Sequence, residues 1–206
     1  IYYAERFAAD FSFAAKNGMC ATYFDSLLGS WSAQGPTLYV LTRIHEHPEW
    51  TAEQILEEYY SGFGSASGAV KSYFAVWKQF SDNLSAAEVK RIELAERDPV
   101  TGNPGGGFKN YTGIAHHLFP LSLFDQAREK LEYAWQAAKG DSQTENRIRF
   151  LMLGCTDAEL TVKTRIAQKQ YQSDKTPENK QVFQQAFEEL SQHRALAEPY
   201  NVANFG

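Results

Sequence analysis

The chain has 206 residues, of which 43% are hydrophobic, 14% aromatic and 22% charged, with a formal net charge of -5. This composition belongs to a globular protein with one substantial core or two small ones. The acidic balance, with no Lys/Arg run longer than a pair, excludes nucleic acid as an expected partner. No apolar stretch approaches the ~20 residues needed to cross a bilayer, so no membrane span is expected, and the opening IYYAERFAAD lacks the basic-then-apolar layout of a signal peptide.

In chain order, Tyr2 to Lys16 repeats apolar residues at helical spacing (Tyr3, Phe7, Phe11, Ala14, Ala15), and Asn17-Gly18 supplies the left-handed residue that stops a helix. The chain opens inside this helix, which reads as a piece of a longer protein. Met19 to Phe24 is a short, apolar, β-prone run, followed by a Ser/Gly-rich loop to Gln34 that carries Trp31. Pro36 sits where a helix to Glu46 would start, and His47-Pro48 ends it. Thr51 with Gln54 forms a capping box for a helix through Ser61, which Gly62-Phe63-Gly64 breaks. Ala66 to Asn83 aligns Val70, Phe74, Trp77 and Phe80 on one helical face, and Ser85 with Glu88 caps a short charged helix.

Residues 99 to 110, PVTGNPGGGFKN, hold two prolines and four glycines and mark a linker. Three long helical patterns follow. Pro120 opens the first, with Phe124, Ala127, Leu131, Ala134 and Ala138 inward. Ser142 with Glu145 caps the second, of about 30 residues or ~45 Å, with Ile148, Leu151, Cys155, Ala158 and Val162 inward. The third, Pro177 to Ala197, turns Phe183, Ala186, Phe187 and Leu190 inward. Short connections make neighbours antiparallel, which predicts a three-helix up-down bundle. The expected division is therefore 1–98, a linker over 99–110, and a bundle over 111–206. Cys20 and Cys155 both lie in apolar sequence and are expected as buried thiols, a disulfide being open but not indicated by their spacing.

A lone strand cannot satisfy its own backbone groups, so Met19 to Phe24 needs partners elsewhere. Helix, tight turn, short strand, loop and helix is the order of the last αβα unit of a (β/α)8 barrel, where the strand's C-terminal end and the following loop line the active-site mouth. The fold class expected is thus mainly α, with one terminal barrel unit followed by a helical region that ends in the three-helix bundle. Asp25, Ser26 and Trp31 occupy the mouth positions, and Tyr23 shares strand parity with Asp25. Each has a plainer role beside the functional one. Asp25 binds sugar hydroxyls, orients a catalytic group, or starts the Asp25-Ser26 turn by bonding its own backbone; Trp31 stacks on a pyranose ring or plugs the rim; Tyr23 reaches the cavity or is buried structure. Arg43 is a carboxylate clamp or a surface ion pair. His45 and His47 face different ways near a helix end and His116-His117 packs or caps, so no metal site is expected. Glu57 and Glu58 diverge by roughly 100° on their helix, beside Tyr59 and Tyr60. GGG at 105–107 has neither a strand before it nor a lysine after it, and no cofactor is expected.

FDSLLGSWSAQGPTLYVLTRIHEHPEW, QILEEYYSGFGSASGAVKSYFAVW and the later KTPENKQVFQQAFEEL together resemble the carboxy-terminal part of bacterial proteins of domain of unknown function 4838. Some of these are glycoside hydrolases of family 163, endo-β-N-acetylglucosaminidases acting on complex N-glycans and related in layout to α-glucuronidases. The resemblance covers most of the chain, with Ser65 standing where relatives commonly have proline after the glycine. It implies a glycan substrate, periplasmic or extracellular placement, and catalytic carboxyl groups on earlier barrel strands that this chain does not contain. The chain alone is then expected to be inactive, since glycoside hydrolysis needs a pair of carboxyl groups around the scissile bond. The competing expectations are a self-contained helical interaction module whose strand pairs with a second chain, and a non-catalytic glycan-binding relative.

Overall fold

The structure, a computed structural model, describes residues 1–24, 30–95 and 113–203, the side chains of Glu93 and Ala95 excepted. It is mainly α-helical, with nine α-helices among the described residues: α1 Ala4–Lys16, α2 Trp31–Glu46, α3 Ala52–Ser61, α4 Ser67–Asp82, α5 Ala86–Ala95, α6 Ala115–Leu118, α7 Leu121–Ala138, α8 Ser142–Ser173 and α9 Pro177–Ala197.

α1 ends where Asn17-Gly18 predicts. Gly18 takes φ +91°, and Met19 N–H reaches back to Ala14 O at 3.0 Å, so carbonyls left open by the last turn are used. α3 has the expected box in full: Gln54 N–H donates to Thr51 Oγ1 at 3.2 Å and Thr51 N–H to Gln54 Oε1 at 2.8 Å. α9 begins at Pro177 with Thr176 capping Asn179 N–H at 3.2 Å.

Two helix starts differ from expectation. α2 begins at Trp31, five residues before Pro36, which lies inside the helix. A proline there forfeits one intrahelical bond, and tertiary contacts hold the added turn. Ser32 N–H donates to Val202 O at 3.0 Å, and Ser32 is buried. α8 is capped by Asp141 rather than Ser142: the carboxylate accepts from Gln143 N–H (3.1 Å) and Thr144 N–H (3.3 Å), while Glu145 takes Gly140 N–H at 3.0 Å.

The run Met19 to Phe24 is not a strand, and the described residues contain no strand at all. Cys20 to Phe24 is exposed and makes no backbone hydrogen bond among the described residues. The physical reason is the one that made the expectation conditional: among the described residues no second strand is present to complete a ladder. Cys20 is exposed as well, so only Cys155 is a buried thiol, and neither forms a disulfide.

One core contains residues from both sides of the Gly/Pro-rich segment. An aromatic chain makes the join: Tyr60–Phe74 at 6.2 Å, Tyr73–Phe74 at 4.8 Å, Tyr73–Trp77 at 6.2 Å and Trp77–Phe124 at 5.5 Å between ring centroids. α7 therefore lies between α4 and α8, and α9 packs along α8. α7 packs against α4 as well as α8, so the last three helices share their packing with the earlier part of the chain. With one broad helical neighbour, α9 buries a narrow strip: Leu190 is 7% exposed but Phe187, expected inward, is 58% exposed.

α8 is the central rod, 32 residues and ~48 Å at 1.5 Å per residue. Where α2 crosses it, Gly154 meets Ser32 so closely that a methyl on Gly154 would sit 1.7 Å from Ser32 Oγ. Also on α8, Glu159 is 5% exposed, held by Lys163 at 2.6 Å and by Arg128 of α7. Burial of a carboxylate requires such pairing.

Candidate functional site

The sequence candidates cluster where α1 ends, the irregular segment runs, and α2 begins and ends. Tyr23 is 87% exposed, and Trp31, the first residue of α2, is 40% exposed. No ring contact or hydrogen bond joins Tyr23 to Trp31 among the described residues. Asp25 and Ser26 lie outside the described residues.

Parity within the segment is definite. Thr22 and Phe24 face the helices and Tyr23 faces out. Thr22 Oγ1 lies 2.7 Å from His45 Nε2, and the Phe24 ring sits 6.0 Å from Phe7 and 6.2 Å from His45. Alternation of this kind is what a non-helical, drawn-out chain gives. Tyr23 is thus neither buried structure nor part of a described cavity. It presents a bare aromatic face, a surface suited to stacking on the C–H face of a sugar ring.

The neighbouring polar residues have structural partners. Arg43 donates to Glu58 through Nε (2.9 Å) and Nη2 (3.0 Å), also pairs with Glu46, and lies 5.2 Å from the Trp50 ring. The Arg43 guanidinium holds Glu58 below the usual carboxylate range. Of Arg43's two expected roles, the ion pair is the one observed. Glu57 pairs with Lys71 at the surface. Tyr60 turns inward, its phenol pushed up to about 12, first by burial. His47 stacks on Trp50 at 4.1 Å, away from His45, and His116 lies against His117 at 3.9 Å. Among the described residues no group of three or more His, Cys, Asp or Glu is placed to hold a metal ion, and no helix is long and apolar enough to cross a membrane.

Sequence reasoning missed a cavity of about 460 Å³ lined by Tyr73, Trp77, Phe124, Cys155, Asp157 and Arg194, among others. Its walls come from helices distant in sequence, so no motif announces it. Only the single periodic faces that supply Phe74 and Phe124 hint at a shared interior. Arg194 closes one side, donating to Asp157 at 2.8 Å and to Thr161 Oγ1 at 3.1 Å. Burial pushes the Cys155 thiol up to about 11, so it is a protonated, unreactive group at neutral pH. Its charged pair is matched internally, and aromatic rings form much of the remaining wall.

Comparison with protein-family profiles, with curated proteins and with solved structures finds no match to this chain.

Proposed function

We propose that this chain is the helical carboxy-terminal portion of a bacterial glycan-processing protein of the kind its motifs resemble, placed in the periplasm or outside the cell. In this proposal Met19 to Phe24 joins, as the last strand of a (β/α)8 barrel, a sheet formed by residues outside this sequence or by a second chain. Tyr23, Asp25, Ser26 and Trp31 then stand at the sugar-binding mouth, and α1 to α9 buttress the sheet. The observation that carries the proposal is the segment itself: residues 20–24 make no backbone hydrogen bond among the described residues, Thr22 and Phe24 contact helix side chains, and Tyr23 is bare to solvent. A terminal strand whose neighbours are absent would leave its backbone groups without partners in this way. The chain supplies binding groups, not the carboxyl pair, and has no glycosidase activity alone.

A second reading, a self-contained helical interaction module, draws on a different observation: none of the residues that close the core comes from Met19 to Phe24. The two are separated by one assay. In the full-length gene product, Tyr23→Ala combined with Trp31→Ala is expected to cut glycan release from a complex-type N-glycoprotein at least tenfold with the melting temperature unchanged. Release unaffected by the double substitution removes the site assignment. Binding of a complex N-glycan without release identifies a non-catalytic relative, and neither binding nor release leaves the interaction module.

A further inference from the structure

We infer that His45 is the positioning residue of this candidate glycan surface, setting which side chains of residues 20–24 face the helices and which face outward; the inference takes the proposed function as its frame. His45 lies in the last turn of α2 and is exposed. Both ring nitrogens are engaged: Nδ1 is 2.6 Å from Leu41 O and Nε2 is 2.7 Å from Thr22 Oγ1. A backbone carbonyl only accepts, so the proton of the neutral ring belongs on Nδ1, and Nε2 accepts from the Thr22 hydroxyl. The same imidazole makes an edge contact with Phe11 of α1 at 4.6 Å and with Phe24 at 6.2 Å. One ring therefore ties α1, α2 and the segment together.

Nothing in the segment's own backbone does this work, since residues 20–24 form no backbone hydrogen bond among the described residues. A slip of one residue would take Thr22 away from His45 and Phe24 away from Phe7 and His45. The Thr22 hydroxyl fixes the register and the Phe24 ring fills the space beside it. Tyr23 is thereby held outward before any ligand arrives, which reduces the ordering that binding must impose.

The test uses NMR on the 206-residue chain and kinetics on the full-length protein. In its neutral form the His45 ring is expected to show a protonated Nδ1 and a bare Nε2 by 15N NMR. Backbone order parameters of residues 21–24 should fall from roughly 0.85 to below about 0.6 in Thr22→Val and in His45→Phe, and be restored in Thr22→Ser. With a complex N-glycan substrate, Thr22→Val should raise KM several-fold and leave kcat nearly unchanged. Unaltered order parameters in both Thr22→Val and His45→Phe, or a proton on Nε2 with Nδ1 bare, overturns the inference. If the wild-type protein neither binds nor cleaves the glycan, the proposed function fails while the NMR results still decide the role of His45.

Discussion

Gly154 shows how one missing methyl sets the distance between helices. Ser32 Oγ and Cβ would lie 1.7 Å and 2.5 Å from a Cβ built there, whereas the Ser32 backbone is 3.9 Å away. Gly154→Ala gains up to about 1 kcal/mol of helix propensity, but the clash forces α2 off α8 at a cost of roughly 1–3 kcal/mol. Gly154→Ala should therefore lower the urea midpoint. Adding Ser32→Gly should recover most of the loss, since the new methyl then meets only backbone, at an ordinary van der Waals distance. Equal midpoints for the single and double variants would show that the crossing tolerates the methyl. The sequence offered no sign of this pairing, because residues 32 and 154 meet only once α2 and α8 are docked. Glu159 was hidden for the same reason: its cations sit at Lys163, one turn along, and at Arg128 on another helix.

At the level of elements, caps were the most legible features, since a cap is decided within four or five residues. The Thr51-Gln54 box and the helix start at Pro177 stand where the sequence places them. The Ser142–Glu145 spacing pointed to Ser142 as the cap, although Asp141 beside it is an equally good capping residue. The structure selects Asp141, which also accepts from Thr144 Oγ1 at 2.5 Å. That hydroxyl bond, followed by the backbone bonds, depresses the Asp141 pKa. A depressed folded-state value gives stability that is complete above the unfolded value, near 3.9, and is lost as pH falls through the folded value. The thermal stability of the wild type should thus fall as pH drops below about 4. Asp141→Asn, which keeps an acceptor without a titratable group, should flatten that part of the profile. A steep acid limb that persists unchanged in Asp141→Asn would assign it to other carboxylates.

For the whole molecule, the aromatic chain from Tyr60 to Phe124 makes one apolar interior from segments on both sides of residues 99–110. Phe124 is 1% exposed, and truncating such a ring costs about 3–5 kcal/mol. Phe124→Ala should therefore lower the unfolding midpoint reported by Trp77, before the linker, and by Trp135, after it, to the same extent. Single-tryptophan variants make the two signals separable. Divergent midpoints would mean that the two segments unfold independently, and that the shared interior contributes little to either.

By itself the sequence determined the helical content, most helix boundaries and the inward faces of α4, α7 and α8. These follow from 3.6-residue periodicity, glycine stops and caps, all of them local effects. It also singled out Met19 to Phe24 as foreign to a helical chain, but it could not make that segment a strand, because a ladder needs a partner chain beside it. Only the tertiary structure decided that α2 runs back to Trp31, that α7 sits between α4 and α8, that Phe187 faces out, and that His45 holds Thr22. Each of these depends on which surfaces meet, and contacts between residues 23 to 170 positions apart leave no periodic trace in a sequence.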